Sequence, residues 1–433
     1  MEWYKESGID WIGKIPIEWD IKKIKYVYKL QTGFTPDTSK PEYYDNENGY
    51  TWISIADMND KFIYDSKSKI SELYIKEKHP NIIKKNNLLY SFKLSVGKIG
   101  FNIKDVYTNE AIASFETNND VCLNYLYYAA YLIEFNANTN IYGAKILNQN
   151  LINNALIINP PIQEQKQIAD FLDEKVGKID KILEDLNKQI EILKKYRNNI
   201  IYESTTYGIE NTADLIYTDN IFYKKTHKNW HLVALKRLTK VLTCGVASTP
   251  EYTDKDNGIL FLSAQNIQNN KLDLSTKNYI PSELHKKITK YTKPQYGDVL
   301  QVRVGATIGK SAIVDIKDEF SIYVSLTLMR VNEKINNKYL NYVISTDQFK
   351  QMVSLDVDFA GSQGNLNVGD LKETKIPLPD YKEQIKIINY LDEKCSNIDK
   401  TIQIKQKQID KLENYKKSLI YEYVTGKKRV KEE

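Results

Sequence analysis

The sequence predicts an α+β chain in which two globular α/β domains are joined by two long helices that pair as an antiparallel coiled coil. Two observations carry this. Residues 160–203 recur 219 positions later as residues 379–422, without a gap and with 19 of 44 positions identical. A repeat of that length is the first organisation a sequence reader has to explain. Each copy also lays apolar residues in alternating steps of three and four, the spacing of a coiled-coil seam, and follows a globular segment of comparable size. The simplest closed arrangement of two such halves is a pseudo-twofold internal repeat.

The seam residues of the first copy are Leu172, Val176, Ile179, Leu183, Leu186, Ile190, Leu193, Tyr196 and Ile200. The second copy keeps the phase through Leu391, Cys395, Ile398, Ile402, Ile409, Leu412, Tyr415 and Leu419, with Lys405 replacing the apolar residue at the Leu186 position. The packing contacts expected across the pair are made by Leu172, Ile179, Leu183, Ile190 and Leu193 with Leu391, Ile398, Ile402, Ile409 and Leu412. Prolines open both copies, where a missing N–H costs nothing. Asp380 and Glu383 have capping-box spacing. At 1.5 Å per residue each helix runs roughly 60 Å. An amphipathic helix packed on its own domain would account for one copy but not for two.

Composition bounds the class. Among 433 residues, 42% are hydrophobic and 27% charged, with a net charge of +5. This describes a soluble globular protein of two or three domains, and the charge is too small to indicate nucleic acid by itself. Cys122, Cys244 and Cys395 have neither C-x-x-C spacing nor a nearby pair of histidines, so no zinc site or disulfide framework is expected and a reducing cytoplasm fits. The opening MEWYKESGIDWIG is too polar for a signal peptide, and no run is long and apolar enough for a membrane span. Five arginines stand among 61 basic residues, at 197, 237, 303, 330 and 429.

In chain order, residues 1–158 form the first globule, with short β-branched and aromatic segments at 51–55, 88–92 and 111–115 between turn-forming clusters, and a helix near 123–135. Residues 159–208 are the first long helix, 209–377 the second globule, 378–426 the second long helix and 427–433 a charged tail. The second globule echoes the first. Trp19 matches Trp230, the run from Pro41 to Asp57 matches that from Pro250 to Asn266, Gly97-Lys98 matches Gly309-Lys310, and Tyr125-Leu126 matches Tyr339-Leu340. Between these anchors the polar residues diverge more than they do in the helices, which suggests one scaffold holding two different ligands of one kind.

No catalytic constellation stands out. Asn159-Pro160-Pro161-Ile162 is near the N-P-P-aromatic motif of amino-methyltransferases, but Ile offers no face to stack on a base and no Gly-rich cofactor loop precedes it. Gly305-Ala306-Thr307-Ile308-Gly309-Lys310-Ser311 has three residues between its glycines where a P-loop needs four, and reads better as strand, turn, strand. His79, His227, His231 and His285 are scattered without a matching carboxylate or nucleophile, which leaves surface or core histidines as their account.

What remains is binding. Lys93, Lys98, Arg303 and Lys310 flank turn glycines, Ser54 and Asp57 match Ser263 and Asn266 with Gln265 beside them, and Gln363 and Asn365 lie in the donor-rich loop 361–365. Such sets can contact phosphates and base edges, and the candidate positions are Ser54, Asp57, Lys93, Lys98, Gln265, Asn266, Arg303, Lys310, Gln363 and Asn365. For each of them a solvated surface accounts for the residue equally well.

At this point the sequence resembles a known family over nearly its whole length: the specificity subunit of type I restriction-modification systems. The residues that carry the resemblance are Tyr4-Lys5-Glu6-Ser7-Gly8-Ile9-Asp10-Trp11-Ile12-Gly13 with Ile15-Pro16 and Trp19, the P-x-x-x-E-Q opening of each long helix, its Leu-Asp-Glu-Lys at 172–175 and 391–394, and Val424-Thr425-Gly426-Lys427. Thr205-Thr206-Tyr207-Gly208 departs from that last pattern and blurs only the boundary. The resemblance implies two target recognition domains, each reading half of a split double-stranded DNA site, with the helix pair setting the spacer. It implies a non-catalytic, cytoplasmic chain with no cofactor of its own. Its implied partners are two S-adenosylmethionine-dependent adenine methyltransferase subunits and an ATP- and magnesium-dependent restriction subunit. A fused or non-type I restriction-modification arrangement and a protein-binding coiled-coil adaptor are the alternatives. Arg303, beside the Gly305 turn, is the expected reader of a guanine in the second half-site, while the first globule, which has no arginine, must read with other groups.

Overall fold

The computed structural model describes residues 3–93, 95–117, 121–139, 145–210, 215–247, 250–268, 270–305, 307–354 and 366–430. The chain divides into two compact units, Met1–Asp185 with Gln408–Glu433, and Leu186–Lys407. The long helices, Ile162–Tyr207 and Tyr381–Val424, therefore each contribute a segment to both units. Among the described residues no helix is long and apolar enough to cross a membrane.

In the first unit a hairpin of Tyr4–Glu6 with Lys14–Pro16 precedes a short antiparallel pair, Asp20–Lys23 with Leu156–Asn159. A five-stranded sheet runs in the order Leu30–Thr32, Ile112–Phe115, Leu88–Ser91, Ile99–Asn102, Phe62–Ile63, and Tyr50–Ile53 lies between Tyr107–Thr108 and Lys69–Ile70 in a smaller sheet. The strand Leu88–Ser91 is buried on both faces and reads as a continuous run rather than an alternation. The helix expected near 123–135 is α-helical over Leu123–Ala129 and tightens to a 3-10 helix over Ala130–Asn136.

The second unit repeats the plan. A hairpin of Leu215–Tyr217 with Lys225–His227 precedes the pair His231–Ala234 with Lys375–Leu378. A four-stranded sheet follows in the order Thr239–Cys244, Leu326–Val331, Val299–Val302, Ser311–Ile313, and Gly258–Leu262 lies between Asn278–Pro281 and Phe320–Ile322. Val299–Val302 and Ser311–Ile313 pair antiparallel around the Gly305 to Gly309 turn, as the strand, turn, strand reading of that stretch requires.

Within the first unit Leu172, Val176 and Ile179 of the first long helix pack with Leu419 and Val424 of the second, with Leu183 and Leu412 beside them. Asp180 meets Lys416, and the Phe171 ring lies tilted 4.5 Å from that of Tyr423, so the segments run antiparallel. Within the second unit Leu391 and Cys395 pack with Ile200 and Ile201. There Asp399 meets Arg197 and Lys405 donates to Gln189 Oε1 at 2.5 Å, again antiparallel. Lys405, the flaw in the seam, is thus held by an amide on the other helix.

The seam corrects one expectation. Tyr196 and Tyr415 are 53% and 57% exposed. An unbroken alternation of four and three from Leu193 lands on Arg197, and from Leu412 on Lys416, and these are the half-buried positions. The basic residues face the seam, and the tyrosines stand one residue out of phase.

The helix ends explain the repeated motifs. Gln165 and Gln384, the last residues of each P-x-x-x-E-Q, are buried and turn back to donate to the carbonyls of Pro160 (2.8 Å) and Pro379 (3.1 Å). Asp380 Oδ1 caps the second helix by accepting from the Glu383 N–H at 2.9 Å. At the other ends, two fully buried tyrosines each tie a carbonyl that a helix terminus leaves without a partner to a strand carbonyl. Tyr125 donates toward Ile158 O and Val424 O, and Tyr339 toward Pro377 O and Thr205 O.

Past the second helix, Gly426 adopts φ 71° and lies so close to the N-terminal hairpin that a Cβ there would come within 2.3 Å of Pro16 Cδ. Only glycine fits. Residues 427–430 of the expected tail are docked: Lys427 Nζ donates to the carbonyls of Ile12 and Lys14, and Arg429 pairs with Glu18 and Glu164.

Candidate nucleic-acid interface

In both units the central strand of the small sheet runs into a single 3-10 turn, Ile55–Asp57 or Ala264–Asn266, closed by a capping box. Ser54 N–H and Oγ donate to Asp57 Oδ2, and Ser263 N–H donates to Asn266 Oδ1. The first and fourth residues of the turn are therefore spent on shaping it. Asn266 is 1% exposed and also donates to the carbonyls of Asp273 and Thr276, which places it inside the fold, not on a reading surface. The exposed residue of each turn is the third, Ala56 in one unit and Gln265 in the other.

Onto this turn folds the lysine that follows a turn glycine. Lys98 Nζ donates to Ile55 O (3.1 Å) and Asn59 Oδ1 (3.0 Å), and Lys310 Nζ donates to Gln268 Oε1 (3.3 Å). The same two amides also donate to the carbonyl of the exposed turn residue, Asn59 to Ala56 O at 2.7 Å and Gln268 to Gln265 O at 3.3 Å. Each unit thus carries a lysine steadied by an amide beside one variable exposed position. An ammonium has three donors and no acceptor, so each lysine keeps at least one hydrogen for a phosphate or base-edge oxygen.

Asn59 and Gln268 are the residues that sequence reading missed. Both lie two positions beyond the matched runs ending at Asp57 and Asn266, so extending the same alignment by two residues finds them.

Arg303 is a correction. It is 8% exposed, and its guanidinium donates to the carbonyls of Leu366 (2.9 Å) and Val324 (3.5 Å). The expectation that it reads a guanine meets a side chain already committed to holding loops together. Arg330 is likewise committed, bidentate to the buried Asp298 at 2.8 Å for both bonds. Arg237 is the exposed arginine of 209–377. Lys93 is exposed, with Nζ 5.9 Å from the Phe92 ring. Gln363 and Asn365 lie outside the described residues.

His285 also departs from expectation. It is a buried core histidine, as one of the two accounts of the scattered histidines has it, but a serine and a carboxylate do meet it: the helix Ser282–Ile288 sets it 2.8 Å from Ser321 Oγ and 3.4 Å from Glu319. Its partners lie some 36 residues on, too far for a local motif. Ser321 pairs with Phe261 as Tyr107 pairs with Trp52, which makes it a packing position, and it is 1% exposed. Burial pushes the imidazole below its ordinary pKa, with Glu319 opposing in part. Among the described residues no group of three or more His, Cys, Asp or Glu side chains could hold a metal.

The type I restriction modification DNA specificity domain matches this chain twice, over residues 16–200 and 227–414. The MjaVIII type I restriction enzyme specificity subunit of Methanocaldococcus jannaschii is 25% identical over 445 residues, covering 100% of this chain and 98% of the relative. The EcoBI specificity subunit of Escherichia coli is 25% identical over 299 residues, 66% of this chain and 61% of the relative. A chain solved in work on complex assembly and conformational transition of the type I R-M system superposes with a TM-score of 0.70 at 16% identity, over 95% of this chain and 98% of that one, and shares its fold.

Proposed function

Because the chain belongs to the type I restriction modification DNA specificity family, we propose that it is the DNA-recognition subunit of a type I restriction-modification complex. Each unit reads one half of a bipartite target, and the helix pair sets the spacer. The observation that supports this most directly is the doubled turn: the same lysine and amide frame stands in both units, while the exposed residue it presents changes from Ala56 to Gln265. Phosphate contacts fix register and base contacts specify, so a constant lysine beside a variable residue is the division of labour that two different half-sites need.

On this reading the chemistry belongs to partners: adenine methylation to S-adenosylmethionine-dependent subunits, two per recognition chain, and ATP- and magnesium-dependent cleavage to a restriction subunit. The test is to coexpress the chain with its methyltransferase and map methylated adenines. Two short blocks at fixed separation are expected. Gln265→Ala should change the tolerated bases of one block and leave the other intact. Methyl transfer by the purified chain alone, or a target without two blocks, would overturn the reading.

A further inference from the structure

Asp173, on the first long helix, receives two donors from different parts of its unit. Tyr128 Oη donates to Asp173 Oδ1 from the helix Leu123–Ala129, and Lys61 Nζ donates to the same oxygen at 2.5 Å. Lys61 is rooted in the five-stranded sheet, since its carbonyl accepts from the Phe101 N–H at 2.7 Å and it immediately precedes the strand Phe62–Ile63. Its ammonium is ringed by aromatics, 4.9 Å from the centroid of Tyr127 and 5.7 Å from those of Tyr128 and Phe62. A cation held by a carboxylate and three ring faces has little freedom to swing away.

Two residues before Lys61 stands Asn59, whose amide bridges Ala56 O and Lys98. The chain of contacts is therefore continuous from Asp173 on the helix, through Lys61 and the backbone of 59–61, to the recognition turn. In the second unit the matching carboxylate, Asp392, accepts from Tyr342 Oη (2.7 Å) and from Lys338 Nζ (2.8 Å). Lys338, however, sits on the same helix as Tyr342, Asn337–Ser345, and is 54% exposed. That carboxylate fastens a helix, whereas Asp173 fastens a helix and the reading turn.

We propose that Asp173 and Lys61 are positioning residues that register the recognition turn of the first unit on the spacer-setting helix, so that their loss loosens the distance at which the first half-site is read. This rests on the reading of the chain as a specificity subunit. The step is one of geometry only, with no bond made or broken.

The experiment uses the whole chain coexpressed with its methyltransferase and a set of DNA targets whose spacers differ by single base pairs. Wild type is expected to methylate one spacer length. Lys61→Ala and Asp173→Asn should each raise methylation at neighbouring lengths by about tenfold relative to the native length, with both half-site sequences unchanged. The exchanged pair Lys61→Asp with Asp173→Lys should restore the single length, and Lys338→Ala should leave it unaltered. Lys61→Arg serves if Lys61→Ala melts early. Variants that keep the wild-type spacer profile, or that lose activity equally at every spacer in step with a lower Tm, would overturn the proposal. A wild type that shows no bipartite target would instead overturn the functional reading beneath it.

Discussion

Arg303 occupies in the second unit the place that Phe92 occupies in the first. Each follows a residue whose N–H bonds to the carbonyl of the turn lysine, Ser91 to Lys98 O and Val302 to Lys310 O, both at 2.8 Å. Each donates its own N–H across the sheet, Phe92 to Ala111 O and Arg303 to Ser325 O, both at 2.9 Å. The slot is a core position, filled by a ring in one unit and by a guanidinium bonded to carbonyls in the other. Arg303→Ala should therefore destabilise the second unit by about 1–3 kcal/mol, because two carbonyls lose a charged donor. Urea melts check the first half of this, and the methylated motif, which should be unchanged, checks the second.

The seam and its ion pairs should differ by a clear margin. Leu172 and Leu391 are fully buried, and truncating either to Ala should cost about 2–5 kcal/mol. Arg197 and Asp399, with side chains 19% and 47% exposed, form a pair that solvent screens. Arg197→Ala should cost less than about 1 kcal/mol. Parallel denaturant melts of the three variants decide the ranking.

If the helices measure the spacer, deleting seven residues from each, at matched positions, shortens their span by about 10 Å. At 3.4 Å per base pair that is about three base pairs. Both half-sites should persist while the spacer shrinks, as read from the methylated sites of a host carrying the variant. Methylation at the original spacing would show that the helices do not measure it.

Acid should weaken the second unit through His285. Above pH 6.5 the imidazole is neutral whether the chain is folded or not. Below it the unfolded chain takes up a proton that the buried ring refuses, so stability is fully present above pH 6.5 and is lost as pH falls through the lowered folded value. Hydrogen exchange of peptides from 186–407 at pH 7.5, 6.5 and 5.5 should show progressive loss of protection in wild type. The His285→Gln chain should show a flatter profile.

The helices were legible because their physics is local: a four-three period and a shared glutamine state themselves in consecutive residues. Even there the tyrosines at 196 and 415 drew the eye from Arg197 and Lys416, since aromatic character outweighed phase. The turn frame was half legible, with Ser54 and Asp57 matched to Ser263 and Asn266 but their role as caps hidden until the backbone closed. Arg303 was not legible. Lys98 follows Ser91 by seven positions and Lys310 follows Val302 by eight, and one sequence alone does not tell which residue of an unequal loop faces inward. Lys61 carries no motif at all, and its role exists only because a strand brings it to a helix more than a hundred residues away.

The docking of residues 427–430 against the N-terminal hairpin has a consequence for biosynthesis. The second unit is one unbroken stretch, 186–407, whereas the first is assembled from two, 1–185 and 408–433. The first unit needs residues 408–430 to close its helix pair and to receive Lys427 at Ile12 and Lys14. The part translated first is therefore the part completed last. A released chain truncated after residue 407 should present a protease-resistant second unit and a first unit still open to cleavage.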